Sequence, residues 1–191
     1  MSNSIHELSA LIVVIGGALG FATTLAYDIL QLRPQTRFLP LTATIGIFLV
    51  LVATGALLFV VPRSPSLSNG NVSGTVSGVL FWVGVAGGCL SFALSAWSVV
   101  FEIPHRTVHD SRRYPYDRGT YALTRHPGWL WYLFLNVSIV LIVQSRTSLF
   151  FSSYLVALES IVVVVEDRWI FPRIFVGYDD YQRRVPMLLP N

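Results

Sequence analysis

Apolar residues run along this chain in five long blocks, roughly Leu8 to Leu32, Phe38 to Val61, Val76 to Phe101, Trp129 to Val143 and Ser148 to Val165, with polar residues gathered between them. At about 1.5 Å rise per residue, the first three blocks are long enough to cross about 30 Å of hydrocarbon as helices. The last two are shorter. Only Gln144-Ser145-Arg146-Thr147 separates them, so they predict an antiparallel helical hairpin, its first helix lengthened by the turn around Arg125 to Gly128. An open strand edge cannot be satisfied in lipid, so the expected fold class is all-α, a polytopic membrane bundle of about five transmembrane helices forming one domain over residues 1–191.

Composition points the same way. Hydrophobic residues make up 53% of the chain and charged residues 12%, with a mean hydropathy of +0.62, against about 25% charged in an ordinary soluble domain. The amino-terminal Met-Ser-Asn-Ser-Ile-His-Glu lacks a basic region, and no small-residue cleavage site ends the first block, so that block is expected to stay as a helix. Cys89 is the single cysteine, so no intrachain disulfide or cysteine redox pair can form.

Charge sets an orientation. All thirteen basic side chains are arginine. With five spans, eleven of them fall in the first loop, the third loop and the carboxyl-terminal tail, and only Arg63 and Arg146 fall on the opposite side. The positive-inside rule then puts the amino terminus outside and the carboxyl terminus in the cytosol. The Ser/Gly/Asn/Pro-rich loop from Pro62 to Thr75, with its Asn71-Val72-Ser73 triplet, is expected on the far side. Arginines divided among membrane-flanking loops form no compact basic domain, which argues against nucleic acid as a partner despite the pI of 9.3.

The polar residues of the third loop carry the chemistry. His105 and His109 stand four apart, a spacing able to put two metal ligands on one helix face. Pro104 and the following Ser, Arg and Tyr-Pro-Tyr elements disfavour a regular helix there, and the zincin glutamate is missing, so no metal site is assigned. Arg125-His126-Pro127 reads differently. Pro127 suits the first turn of a helix, the exposed amides behind it attract negative charge, and an arginine fork beside them suits a carboxylate. Glu166-Asp167-Arg168 ends the fifth block, and acids at a helix carboxyl end oppose its dipole unless something pairs with them. Glu159 lies two helical turns before Glu166, on nearly the same face and inside the apolar block. A charge there costs about 2.5–3.5 kcal/mol on insertion scales, so it should face a partner or a polar cavity. It is read either as a base or cation holder for a substrate, or as a protonated acid bonded to a neighbouring helix. Asp28, near the inner end of the first block, is expected at the interface.

Taken in order, Gly119-x-Tyr121-x-x-x-Arg125-His126-Pro127-x-Trp129, Glu166-Asp167 about forty residues on, and Tyr178-x-x-Tyr181-x-x-Arg184-Val185-Pro186 with Pro190 resemble the isoprenylcysteine carboxyl methyltransferase and phospholipid methyltransferase superfamily of membrane enzymes. The resemblance covers residues 113–191; the first three blocks match only as hydrophobic spans. It implies S-adenosylmethionine as cofactor, with Tyr121, Arg125, His126, Pro127, Gly128, Trp129, Glu166, Tyr178 and Tyr181 bordering it and Arg113 to Tyr116 nearby. Glu159 and Arg184 are the catalytic candidates, and the acceptor is expected to be a lipophilic or small molecule reached from the membrane lipids. The chain differs from the family pattern at Trp129, where tyrosine is usual, at Asp167, where a second glutamate is usual, and at Gly177, a displaced glycine. The run Ile161 to Val165 also lacks the arginine that isoprenylcysteine enzymes carry about one turn before the glutamate. Sterol reductases have a similar Arg-His-Pro and Tyr…Val-Pro arrangement and use NADPH, which leaves a reductase as the alternative, beside an inert membrane protein of the same fold.

Overall fold

The computed structural model describes residues 2–32, 39–60, 74–98 and 114–188. His105, His109, Pro190, the Pro62–Ser73 part of the second loop and the arginines from 99 to 113 lie outside the described residues. Within them the chain is helical: α1 (Ser2–Leu30), α2 (Leu39–Val60), α3 (Gly74–Trp97), a 3-10 turn (Gly119–Ala122), α4 (Pro127–Val143), α5 (Arg146–Val165), a π turn (Glu166–Ile170), α6 (Phe171–Ile174) and α7 (Tyr178–Arg184). Four segments are long and apolar enough to cross a bilayer, Ala10–Leu30, Leu41–Leu58, Val76–Trp97 and Arg146–Ile174, which marks a membrane protein. The last differs from its expected form. The helix does not stop at Val165 but continues through the π turn to Ile174, for 29 residues in all. α4 has 17 residues, about 25 Å at the helical rise, somewhat less than the hydrocarbon thickness.

Two pairs of helices make the bundle, α1 on α2 and α3 on α4, and α5 joins them by packing against α4 and α1. In lipid, apolar side chains gain little by leaving one hydrocarbon for another, so close backbone approach decides the contacts. Gly46 on α2 is such a point: a Cβ there would sit 2.8 Å from Thr24 Oγ1 and 3.0 Å from Thr24 N on α1. On α3, a Cβ at Gly84 would lie 2.8 Å from the Ser138 carbonyl oxygen of α4. Val13, Phe21, Leu57, Ile139, Val143, Leu155 and Val162 fill the interior between the helices. Large apolar side chains such as Phe48, Trp82, Phe92 and Phe150 stand exposed on the outside, a distribution that suits lipid as solvent.

Gln144 closes α4 with a left-handed backbone, φ 51°. Its side chain reaches α3, where Nε2 donates to the Ser77 carbonyl at 2.8 Å. Ser145 caps α5 by accepting from the Thr147 N–H at 3.2 Å, satisfying one of the orphan amides of the first turn. At the other end of both helices, the Trp129 indole N–H donates to Ser160 Oγ at 2.9 Å.

Candidate functional site

Pro127 occupies the first turn of α4, as the sequence predicts, with His126 as the residue before it. This turn is held from the far end of the chain. The Arg125 N–H donates to the Pro186 carbonyl at 3.0 Å, Thr124 Oγ1 donates to the Met187 carbonyl at 2.9 Å, and the Tyr181 hydroxyl donates to the Tyr121 carbonyl at 2.7 Å. The residues after α7 thus lie along the Tyr121–Arg125 stretch of chain and fix its path.

Asp167 is the centre of the assembly. It is 3% exposed and collects four side chains. Arg125 Nη2 donates to Oδ2 at 3.0 Å, while Arg125 Nε lies 3.0 Å from Oδ1 in ion-pair contact but outside hydrogen-bond geometry. The Tyr178 hydroxyl donates to Oδ1 at 2.7 Å, Gln182 Nε2 donates to Oδ2 at 3.2 Å and to the Asp167 carbonyl at 2.9 Å, and His126 Nε2 stands 3.4 Å from Oδ1. Arg125 Nη1 also donates to the Gln182 carbonyl at 3.0 Å. Burial, and then the carboxylate beside it, push the Tyr178 hydroxyl far above its usual range, so it remains a proton donor to Asp167. The partner that an acid at this position requires is therefore Arg125, supplied by the other motif.

Glu166 has a different neighbour. Its Oε2 lies 3.6 Å from His126 Nδ1, so the imidazole stands between two carboxylates, one buried and one near the rim. The His126 ring stacks on Phe171 at 5.6 Å between centroids, with 10° between planes. Phe171, Tyr178, Tyr181, Ile170 and Val185 form a small aromatic core under the turn, with Leu25 of α1 against it. Gly128 stands on the open side, where an added Cβ would meet nothing within 4 Å. Trp129 is half-buried and turned toward α5.

The structure brings together Tyr121, Arg125, His126, Pro127, Gly128, Glu166, Tyr178 and Tyr181, which the sequence groups only by order along the chain. Arg184 is apart from them. Its guanidinium is largely exposed and lies 3.4 Å from Asp117. Glu159 sits half-buried on α5, inside the apolar span Arg146–Ile174. Asp28 of α1 is buried, 6% exposed, with Gln31 Nε2 donating to Oδ1 at 3.1 Å.

Gln182, Thr124 and Phe171 are not among the residues the sequence singles out for the site, and Asp167 is singled out only as one of a pair of acids that needs a partner. One signal points to Asp167: it is the acid next to Glu166, and an arginine with a carboxylate-shaped preference occupies the other motif. Gln182 gives none, because a polar residue between tyrosine and arginine in a short helix reads as solvated.

No protein family, curated protein or solved structure matches the chain.

Proposed function

We propose that this protein is an integral membrane methyltransferase that uses S-adenosylmethionine and transfers a methyl group to a lipophilic or small acceptor at the cytosolic face of the membrane. The observation that carries this reading is the meeting of His126 and Glu166, 3.6 Å apart, at the first turn of α4 and the end of α5. Beside them, Gly128 leaves open space and the aromatic core of Phe171, Tyr178 and Tyr181 forms a floor. The residues present fit such a cofactor. The Glu166 carboxylate accepts hydrogen bonds from ribose hydroxyls or an amino group, and the amides at the first turn of α4 favour a carboxylate. Arg125 serves this site through Asp167, since its guanidinium is taken up by that acid and by the Gln182 carbonyl.

When bound, the cofactor supplies an electrophilic methyl group on a good leaving group. The remaining demands fall on the chain: to align the acceptor with that methyl, exclude water, and take a proton where the nucleophile carries one. Glu159 is the base or charge holder in this reading, because it lies two turns from Glu166 on the same helix, further into the apolar layer. Arg184, at the exposed rim, is positioned to meet the polar end of an acceptor. α4 is the fourth of five spans in chain order, forming an antiparallel transmembrane hairpin with α5, and the arginine distribution favours an amino terminus outside with the site in the cytosol.

Titration calorimetry of the purified protein with S-adenosylmethionine, S-adenosylhomocysteine and NADPH tests the reading. Saturable binding of the first two and none of the third is expected. Binding of NADPH alone would favour the reductase alternative, and binding of none would reject an enzyme of either kind.

A further inference from the structure

The apolar segment that begins at Arg146 runs on to Ile174, further than a bilayer needs. Arg146 and Arg168 are the first two arginines along it, and the helix between them is about 33 Å long at the helical rise, close to the roughly 30 Å of hydrocarbon. When that stretch fills the hydrocarbon, the π turn and α6 stand in the headgroup layer.

The outer face of this helix changes character at the same height. From residue 161 to 176 the exposed side chains are, in order, Ile161, Val164, Arg168, Trp169, Arg173 and Val176. Trp169 is 62% exposed, a large apolar ring left without cover by the protein, while Trp129 and Trp131 each donate to a serine of a neighbouring helix. Among the described residues, neither Arg168 nor Arg173 has a hydrogen-bond or ion-pair partner. The acids of the same segment are turned inward, Asp167 to Arg125 and Glu166 to His126. The exposed charge on this face is therefore positive only. Trp169 and Arg173 stand about one turn apart, so the guanidinium lies on the headgroup side of the indole.

An indole at the border of the hydrocarbon with its N–H toward the water is the arrangement that membrane interfaces favour. A guanidinium fork fits phosphate oxygens, and its apolar stem lies along the helix while the charge reaches the headgroups. Two such forks with no acid beside them select among headgroups. A zwitterionic lipid brings a cation of its own, whereas an anionic lipid brings phosphate oxygens and net negative charge. We infer that the outer face formed by Arg168, Trp169 and Arg173 is a binding site for an anionic phospholipid of the adjoining leaflet. Its acyl chains lie along Ile161 and Val164, its ester carbonyls accept from the Trp169 indole, and its phosphate meets the two arginines. The site needs only the span and its outer face, and it stands apart from the methyltransferase reading.

The test uses the full chain in neutral-detergent micelles and follows the thermal unfolding midpoint. Phosphatidylglycerol is titrated against phosphatidylcholine and against inorganic phosphate. A saturable rise is expected with the first, a smaller one with the second and none with the third. Arg168→Gln with Arg173→Gln should weaken phosphatidylglycerol roughly thirtyfold, and Arg173→Gln alone about fivefold, the attraction expected of two and of one arginine at an anionic surface. The single variant decides the matter if the double one fails to fold. Arg118→Gln with Arg146→Gln, which removes the same charge from two other exposed positions, should bind as the parent does. Phosphatidylglycerol brominated on its acyl chains should quench the tryptophan fluorescence of the parent more than that of Trp169→Phe. Equal responses to the two lipids, a response to inorganic phosphate equal to that of the lipid, parental binding in the Arg173 variants, or an equal loss in the charge-matched control each overturns the inference.

Discussion

Arg125 and Asp167, 42 residues apart in the chain, meet inside the protein with Nη2 donating to Oδ2 at 3.0 Å. Both side chains are more than nine-tenths buried. Three other side chains gather on this pair: Tyr178 and Gln182 donate to the carboxylate, and His126 stands against it. A pair this buried returns little net stability over an apolar one, but breaking it strands a charge.

Arg125→Ala should therefore destabilise the protein by about 3–5 kcal/mol, read as a fall in thermal midpoint in detergent. Adding Asp167→Asn to it should restore part of the loss, because the stranded charge is removed. Additive losses in the double variant would show that the two residues do not act as a pair.

His126→Ala and Glu166→Ala should each weaken S-adenosylmethionine binding more than they destabilise the ligand-free protein. Glu166 makes no contact with the Asp167 side chain, and His126 meets Asp167 only at 3.4 Å, whereas Arg125 and Tyr178 hold it at 3.0 and 2.7 Å. Calorimetry on the two variants decides this. Unchanged affinity in both rejects the site.

Arg184→Ala should alter stability by no more than about 0.5 kcal/mol, since an exposed ion pair contributes little. Its expected effect is on methyl transfer, measured with labelled S-adenosylmethionine and a lipid extract. Parental transfer by the variant removes Arg184 from the reaction.

Gly46→Val should separate α1 from α2, because even a Cβ at this position would come within 3.0 Å of the Thr24 backbone. Overpacking of this kind costs about 1–3 kcal/mol. Gly128→Ala, where the Cβ has open space, is the matched control. Equal midpoints for the two variants would contradict the close α1–α2 contact.

A cytosolic reporter joined after Asn191 should be active, and an exported reporter at the same position inactive. The opposite result would place the site across the membrane from the cytosolic cofactor.

Much of this architecture is legible in the sequence. Long apolar runs are sufficient to place α1, α2 and α3, since bilayer thickness fixes length and lipid forbids strands with open edges. Pro127 marks the start of α4 because its ring permits only that part of a helix. The meeting of the Arg125 and Glu166 motifs is implied by their resemblance to a known order of residues. The end of α5 is not legible. Apolar character stops at Val165, yet the backbone runs on through five residues of π geometry, and a wider turn leaves no mark on hydrophobic periodicity. That turn rotates the remainder of the helix, so that Asp167 and Ile170 face the interior while Arg168 and Trp169 face out. Sequence order alone therefore favours Glu166 and hides the part played by Asp167. Asp28 lies near the carboxyl end of α1, and its burial, which its place along that helix does not reveal, comes with the folded bundle.

The clasp between Thr124-Arg125 and Pro186-Met187 orders the events of synthesis. When α4 has been translated, the residues that will hold its preceding turn have not yet been made, and Asp167 is made before Tyr178 and Gln182. Synthesis of the helices and completion of the site are thus successive events. A chain halted after α5 would be integrated into the bilayer but would still lack the backbone carbonyls that fix Arg125 and Thr124, so integration of the protein is no measure of its maturation.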